Sequence, residues 1–180
     1  MTLPRAALPV AWQDGSVAAA SESKDGKGLS GAAVPFKQDY AATREMVIRA
    51  GRYVRRARDL GFTLDFSDTS IEAAELFGLE LWAMLPGGLS DAQAHDLRAR
   101  LIFELGAYFG ETFIRNHGGR WGWAVLLGRR VFALQTSSGV TAFPPRTARK
   151  RLQGEESETL ATLYEFLSRS HPKSHPKTKR

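Results

Sequence analysis

Apolar residues recur every four positions through Leu97, Leu101, Leu105, Phe109 and Phe113, and Ala94, Ile102 and Tyr108 widen the stripe. That spacing predicts a helix with one buried face. Ser90, with Gln93 three positions on, forms a capping box and sets its start. Asn116, Gly118 and Gly119 tolerate the left-handed backbone that ends helices. The result is a helix of about 25 residues, roughly 38 Å long, long enough to be the axis of a small domain. Gly106 and Gly110 interrupt it, each at a cost of about 1 kcal/mol against alanine. The missing side chains allow a close approach, either by another helix or by Trp121 or Trp123.

Helices are also predicted ahead of this axis. One runs from Asp39 to near Gly61 on the stripe Met46, Ala50, Tyr53, Val54, Ala57 and Leu60. Its other positions hold Arg49, Arg52, Arg55, Arg56 and Arg58, read as a solvated face rather than a phosphate-binding one. Phe62, Leu64 and Phe66 alternate with polar residues, as in a short strand or an extended connection. Thr69 and Glu72 make a second capping box, opening a helix to about Met84. Ile71, Ala74, Leu76, Leu79, Leu81 and Trp82 leave that helix apolar on more than one face, so burial is expected. Pro86-Gly87-Gly88 ends it.

Beyond the axis the period changes to two. Arg120 to Leu127 reads as a strand with Trp121, Trp123, Val125 and Leu127 on the face that covers the central helix. Gly128-Arg129 and Ser137-Ser138-Gly139 are turns, flanking a strand over Arg130 to Thr136 and leading to a third over Val140 to Phe143. Links this short make an antiparallel meander. Pro144-Pro145 stops the sheet, and Arg146 to Leu152 forms a short basic helix. After Gly154, Glu155, Glu156 and Glu158 sit at the positive start of a last helix, with Leu160, Leu163, Phe166 and Leu167 as its buried stripe. The fold class is α+β: three N-terminal helices, a three-stranded antiparallel meander and two C-terminal helices.

Composition changes this picture mainly at the ends. Residues 1–38, with GSVAAASESKDGKGLSGAAV, read as a flexible leader in which Leu8, Val10 and Trp12 are local docking candidates. Residues 39–168 form the single domain, and residues 169–180 a disordered basic tail. The formal charge is +6, but Arg169, Lys173, Lys177, Lys179 and Arg180 supply five of those charges, leaving +1 for the rest. The chain has no cysteine, which excludes disulfides, thiol catalysis and cysteine-based zinc sites and fits a cytoplasmic protein. No stretch has the length of a membrane span, and no signal peptide is read at the start.

Candidate chemistry is sparse. Glu104, Glu111 and His117 lie on the central helix and would be the acid–base groups of a hydrolase if they shared a cleft. The simpler reading pairs Glu111 with Arg115 four positions on, flanks Glu104 with Arg100 and Tyr108, and makes His117 a C-terminal cap. His95 is a surface position. His171 and His175 are each followed by proline and cannot form a helical metal pair. No metal or cofactor is expected, and phosphate-loop, dinucleotide and nucleophile-elbow motifs are missing. Arg146, Arg149, Lys150 and Arg151, with Lys173, Lys177, Lys179 and Arg180 of the tail, are the nucleic-acid candidates, of the non-specific, phosphate-contacting kind.

GAYFGETFIRNHGGRW resembles the pattern G-x-Y-x-G-E followed by G-G-x-W in a group of small bacterial proteins of unknown function. VTAFPPRTARKRLQGEESETLATLYEFL is similar to the ending of that group, although Phe143-Pro144-Pro145 stands where its pattern usually reads Pro-Phe. The resemblance covers Ile71 to Leu167. It implies a fold and a bacterial source, and brings no activity. The expected function is a non-enzymatic, protein-binding one, of which an immunity or inhibitor role is one form. Nucleic-acid association is the first alternative and hydrolysis the second.

Overall fold

A computed structural model describes residues 34–85, 90–126, 128–155 and 159–170. The described elements run β1 (Phe36–Gln38), α1 (Tyr40–Asp59), α2 (Ser70–Ala83), α3 (Asp91–His117), β2 (Arg120–Leu126), β3 (Arg129–Gln135), β4 (Thr141–Ala142), α4 (Pro144–Leu152) and α5 (Leu160–Arg169). The fold is α+β. Its sheet has four strands rather than three, antiparallel in the order β1-β2-β3-β4. Strand β1 comes from residues assigned to the leader and pairs Phe36 with Ala124 and Gln38 with Gly122. Three residues cannot show a period, so the pattern of apolar positions carried no trace of it.

The axis forms as expected. Ser90 and Gln93 make both halves of the capping box, and Gly118 ends α3 at φ 79°. The burial differs from a single stripe. Every residue from Glu104 to Phe113 is buried, because α1, α2, α4, α5 and Trp121 surround this stretch on all sides. The two glycines account for the closest approaches. A Cβ on Gly106 would lie 2.6 Å from the Pro145 Cα, and one on Gly110 only 2.1 Å from the Trp121 ring. Trp121 and Leu134 are directly opposite on β2 and β3, as are Trp123 and Phe132, so all four share the face turned to the helices. Trp123 stays half-buried: it stacks on Phe132 at 4.1 Å and donates from Nε1 to Asp39 at 3.1 Å.

Four expectations fail, each for a local reason. Thr69 makes no cap: its backbone is already helical, and its hydroxyl meets Ser67 Oγ at 3.1 Å. The entry to α2 is held instead by Ser70 Oγ donating to the Ser67 carbonyl at 2.7 Å. Leu76 of α2 and Met84 at its C-cap are exposed, at 58% and 59%, because the neighbours cover only one side of that helix. Phe166 is 60% exposed, and Tyr164 takes the buried place between Leu160 and Leu167. Of the two alternatives for Phe62 to Phe66, the connection without strand pairing is the one that forms. The solvated face of α1 is also incomplete. Arg49 is buried, 2.8 Å from Glu45, and Arg56 reaches Glu104 at 3.2 Å.

Candidate functional site

The densest polar junction lies where the start of α2, the end of α3 and the second half of α5 meet. Phe66 is its hinge. It is the one non-glycine residue with positive φ among the described residues, at 61°, a conformation a bulky side chain adopts only under constraint. The constraints are visible. Its N–H donates to the Tyr108 hydroxyl at 3.1 Å, and its carbonyl accepts from Asn116 Nδ2 at 2.9 Å. Its ring stacks on Tyr108 at 4.9 Å, with the Arg115 guanidinium 3.6 Å from the ring centre.

Asp68 follows at the mouth of a shallow cleft lined by Ser67, Asp68, Thr69, Arg115, Asn116 and His117. Its Oδ1 accepts from Asn116 Nδ2 at 2.8 Å and from the Tyr164 hydroxyl. His117 Nε2 lies 3.4 Å from the same oxygen and 3.4 Å from Ser168 Oγ. Serine, histidine and aspartate are thus together, but not as a nucleophile relay. A relay needs the acid and the nucleophile on opposite ring nitrogens, and here both meet Nε2. Ser168 Oγ is committed to the Tyr164 carbonyl at 2.8 Å. Burial, and then the hydrogen bond to Asp68, push the Tyr164 hydroxyl far above its usual range, so it stays protonated and donating. The junction ties three helices together.

The residues singled out as a possible hydrolase do not converge. Glu104 is buried against Arg56. Burial raises its pKa above the usual carboxylate range, although Arg56, Arg100, Arg49 and Arg52 pull the other way. Glu111 accepts from Trp121 Nε1 at 2.9 Å and lies 3.6 Å from Arg115; burial raises its pKa too. His117 belongs to the Asp68 junction. Each has its own partners, and of the three only His117 lines the cleft at Asp68.

The basic helix α4 is partly engaged within the fold. Arg151 pairs with Glu75, whose other oxygen accepts from the Leu160 N–H at 2.8 Å, so one buried carboxylate joins α2, α4 and the start of α5. Lys150 lies 3.5 Å from Glu155. Arg146 is exposed and Arg149 half-buried. Lys173, Lys177, Lys179, Arg180, His171, His175, Glu156, Glu158 and Trp12 lie outside the described residues. The pattern gave no sign of Glu75, one of three glutamates in an otherwise largely apolar helix, nor of Phe66, whose backbone angle no side-chain pattern encodes.

No protein-family model and no curated protein matches the chain. The resemblance carried by the central motif therefore rests on those residues alone. A solved structure from Bacteroides thetaiotaomicron VPI-5482, a crystal structure at 1.50 Å resolution, is similar in fold, with a TM-score of 0.54 at 13% identity over 79% of this chain. This chain spans about half of that one, 50% of its length. At that identity the likeness is one of fold.

Proposed function

We propose that the protein is a non-enzymatic module that binds another protein through the outer face of α2. The observation that carries this is α2 itself. It is apolar on more than one face, yet beside the exposed Glu72 and Glu80 its Leu76, and Met84 just beyond its end, are more than half exposed, and Leu79 and Trp82 are only partly covered. An apolar face left open is what an interaction site requires. Phe166 adds an exposed aromatic on α5, the helix packed against α2. The charged groups that chemistry would need support the same reading, since Glu75, Glu104, Glu111, Asp68 and His117 all serve internal contacts.

Affinity capture in the native host tests the proposal. The wild-type chain should retain a partner that the Leu76→Asp, Met84→Asp double variant loses, with the variant's circular dichroism and melting unchanged. An identical set of retained proteins would overturn it. Association with nucleic acid is the second reading. The exposure of Arg146 supports it, together with the four basic residues beyond Ser170.

A further inference from the structure

Four glycines lie inside the described helices, and three are explained by what they touch. A Cβ on Gly78 would lie 2.9 Å from Leu105, one on Gly106 2.6 Å from Pro145, and one on Gly110 2.1 Å from Trp121. Gly51 of α1 is different: nothing lies within 4 Å of the position its Cβ would take. Glycine weakens a helix interior, and at this position nothing in the described chain approaches closely.

The surroundings of Gly51 have a definite chemistry. Arg44, Val47, Ile48, Arg52 and Arg55 share its face at three- and four-residue spacing, and all are exposed. Arg44, Arg52 and Arg55 have no ion pair among the described residues. As a whole α1 carries six arginines against Glu45 and Asp59, a net +4. The outer face of α2 carries the complement. Glu72, Leu76 and Glu80 recur at the same four-residue step, all exposed, the two acids without a side-chain partner among the described residues. Helix α2 holds Glu72, Glu75 and Glu80 and no basic residue, a net −3. The sequence charge–apolar–charge thus occurs twice, in Arg44–Ile48–Arg52 and in Glu72–Leu76–Glu80, with the same spacing and opposite sign.

We infer that the occupant of these faces is a second copy of this chain, with α2 of one copy lying along α1 of the other across Gly51. In a parallel register Arg44 meets Glu72, Ile48 meets Leu76 and Arg52 meets Glu80 of the partner. The bare backbone at Gly51 lets the helices close. Charge pairs on both sides of an apolar contact set the register, as they do between coiled-coil helices. The two surfaces are unlike, so the contact is heterologous unless both halves form at once about a two-fold axis. This inference rests on the protein-binding reading and names the partner.

The test is the mass of the 180-residue chain in solution, by sedimentation and light scattering from micromolar to millimolar concentration. The mass should climb above that of the monomer, and should climb less at high salt. Arg52→Glu and Glu80→Arg should each weaken association by about tenfold or more, and the combined variant should recover to within about threefold of wild type. Gly51→Leu should abolish association while the melting temperature holds or rises, a result no merely structural role for Gly51 would give. A chain that stays monomeric throughout, or a combined variant no better than the single ones, would overturn the inference. A monomer that still holds another protein through Leu76 and Met84 would leave the protein-binding reading standing and remove only the second copy.

Discussion

At the scale of single residues, the closest contacts follow from the smallest side chains. Gly110 faces the Trp121 ring and Gly106 the Pro144–Pro145 backbone, so a methyl group at either position must displace a buried group. Gly110→Ala and Gly106→Ala should each destabilise the domain by about 1–3 kcal/mol, the range for overpacking. Gly51→Ala, with open space around it, should stabilise the chain by about 0.4–1 kcal/mol. Denaturant unfolding of the three variants gives the comparison, and an unaffected Gly110→Ala would remove Trp121 from the crossing. The buried carboxylates predict a pH effect. Burial holds Glu104 above its ordinary pKa, so the fold binds that proton more tightly than the unfolded chain does. Its contribution is full below the ordinary carboxylate range and is lost as pH rises through the folded value. The stability of wild type relative to Glu104→Gln should therefore fall as pH rises above the ordinary carboxylate range. A gap that widens toward neutrality would mean that the attraction of Arg56 outweighs desolvation. The glycine pair could be found in the sequence because helix interiors tolerate glycine only for a reason. Phe66 could not, because its strain is set by Tyr108 and Asn116 from distant positions.

At the scale of elements, the long periodic helices were legible and their surroundings were not. Helix α3 began and ended where its caps place it, because capping is a local contest between neighbouring groups. The pair Thr69 and Glu72 has the same spelling and does not cap, since Thr69 is already helical. Ser90→Ala should therefore cost about 0.5–2 kcal/mol, and Thr69→Ala should stay within about 0.5 kcal/mol. Equal losses in thermal unfolding would contradict the two geometries. Helix α5 shows the same limit. Period alone put Phe166 inside, but Tyr164 holds the buried place, its ring edge-on to Phe109 and Phe113 and its hydroxyl on Asp68, and Phe166 is left outside. Tyr164→Phe leaves Asp68 short of a donor and should cost about 1–3 kcal/mol, while Phe166→Ser should leave the melting curve unchanged. The reverse order of effects would restore the stripe that the pattern suggested. The fourth strand escaped because three residues carry too little pattern, whereas β2 and β3 run for seven residues each between turn residues.

At the scale of the whole molecule, charge is distributed by element rather than evenly, and this decides what a nucleic-acid assay should see. Arg169 is drawn into α5 and lies 3.0 Å from Glu165, so it belongs to the helix more than to the tail. That leaves Lys173, Lys177, Lys179 and Arg180 as the tail's cations. At about 0.9 per neutralised phosphate, four such groups cap the log–log salt slope on duplex DNA near −3.6. The expected binding is weak, indifferent to sequence and steeply weakened by salt, because phosphates alone are contacted. Truncation after Ser170 lowers the formal charge from +6 to +2 and should remove this binding. Titrating the full and truncated chains against one labelled duplex at several salt concentrations measures both slope and loss. Affinity retained after truncation would place the contact on Arg146 of α4 or on the unpaired arginines of α1, and its loss in Arg44→Glu or Arg52→Glu would single out α1. Those are the side chains that the second copy would cover. DNA binding through α1 should therefore compete with self-association, whereas binding through the tail should leave the mass of the assembly unchanged.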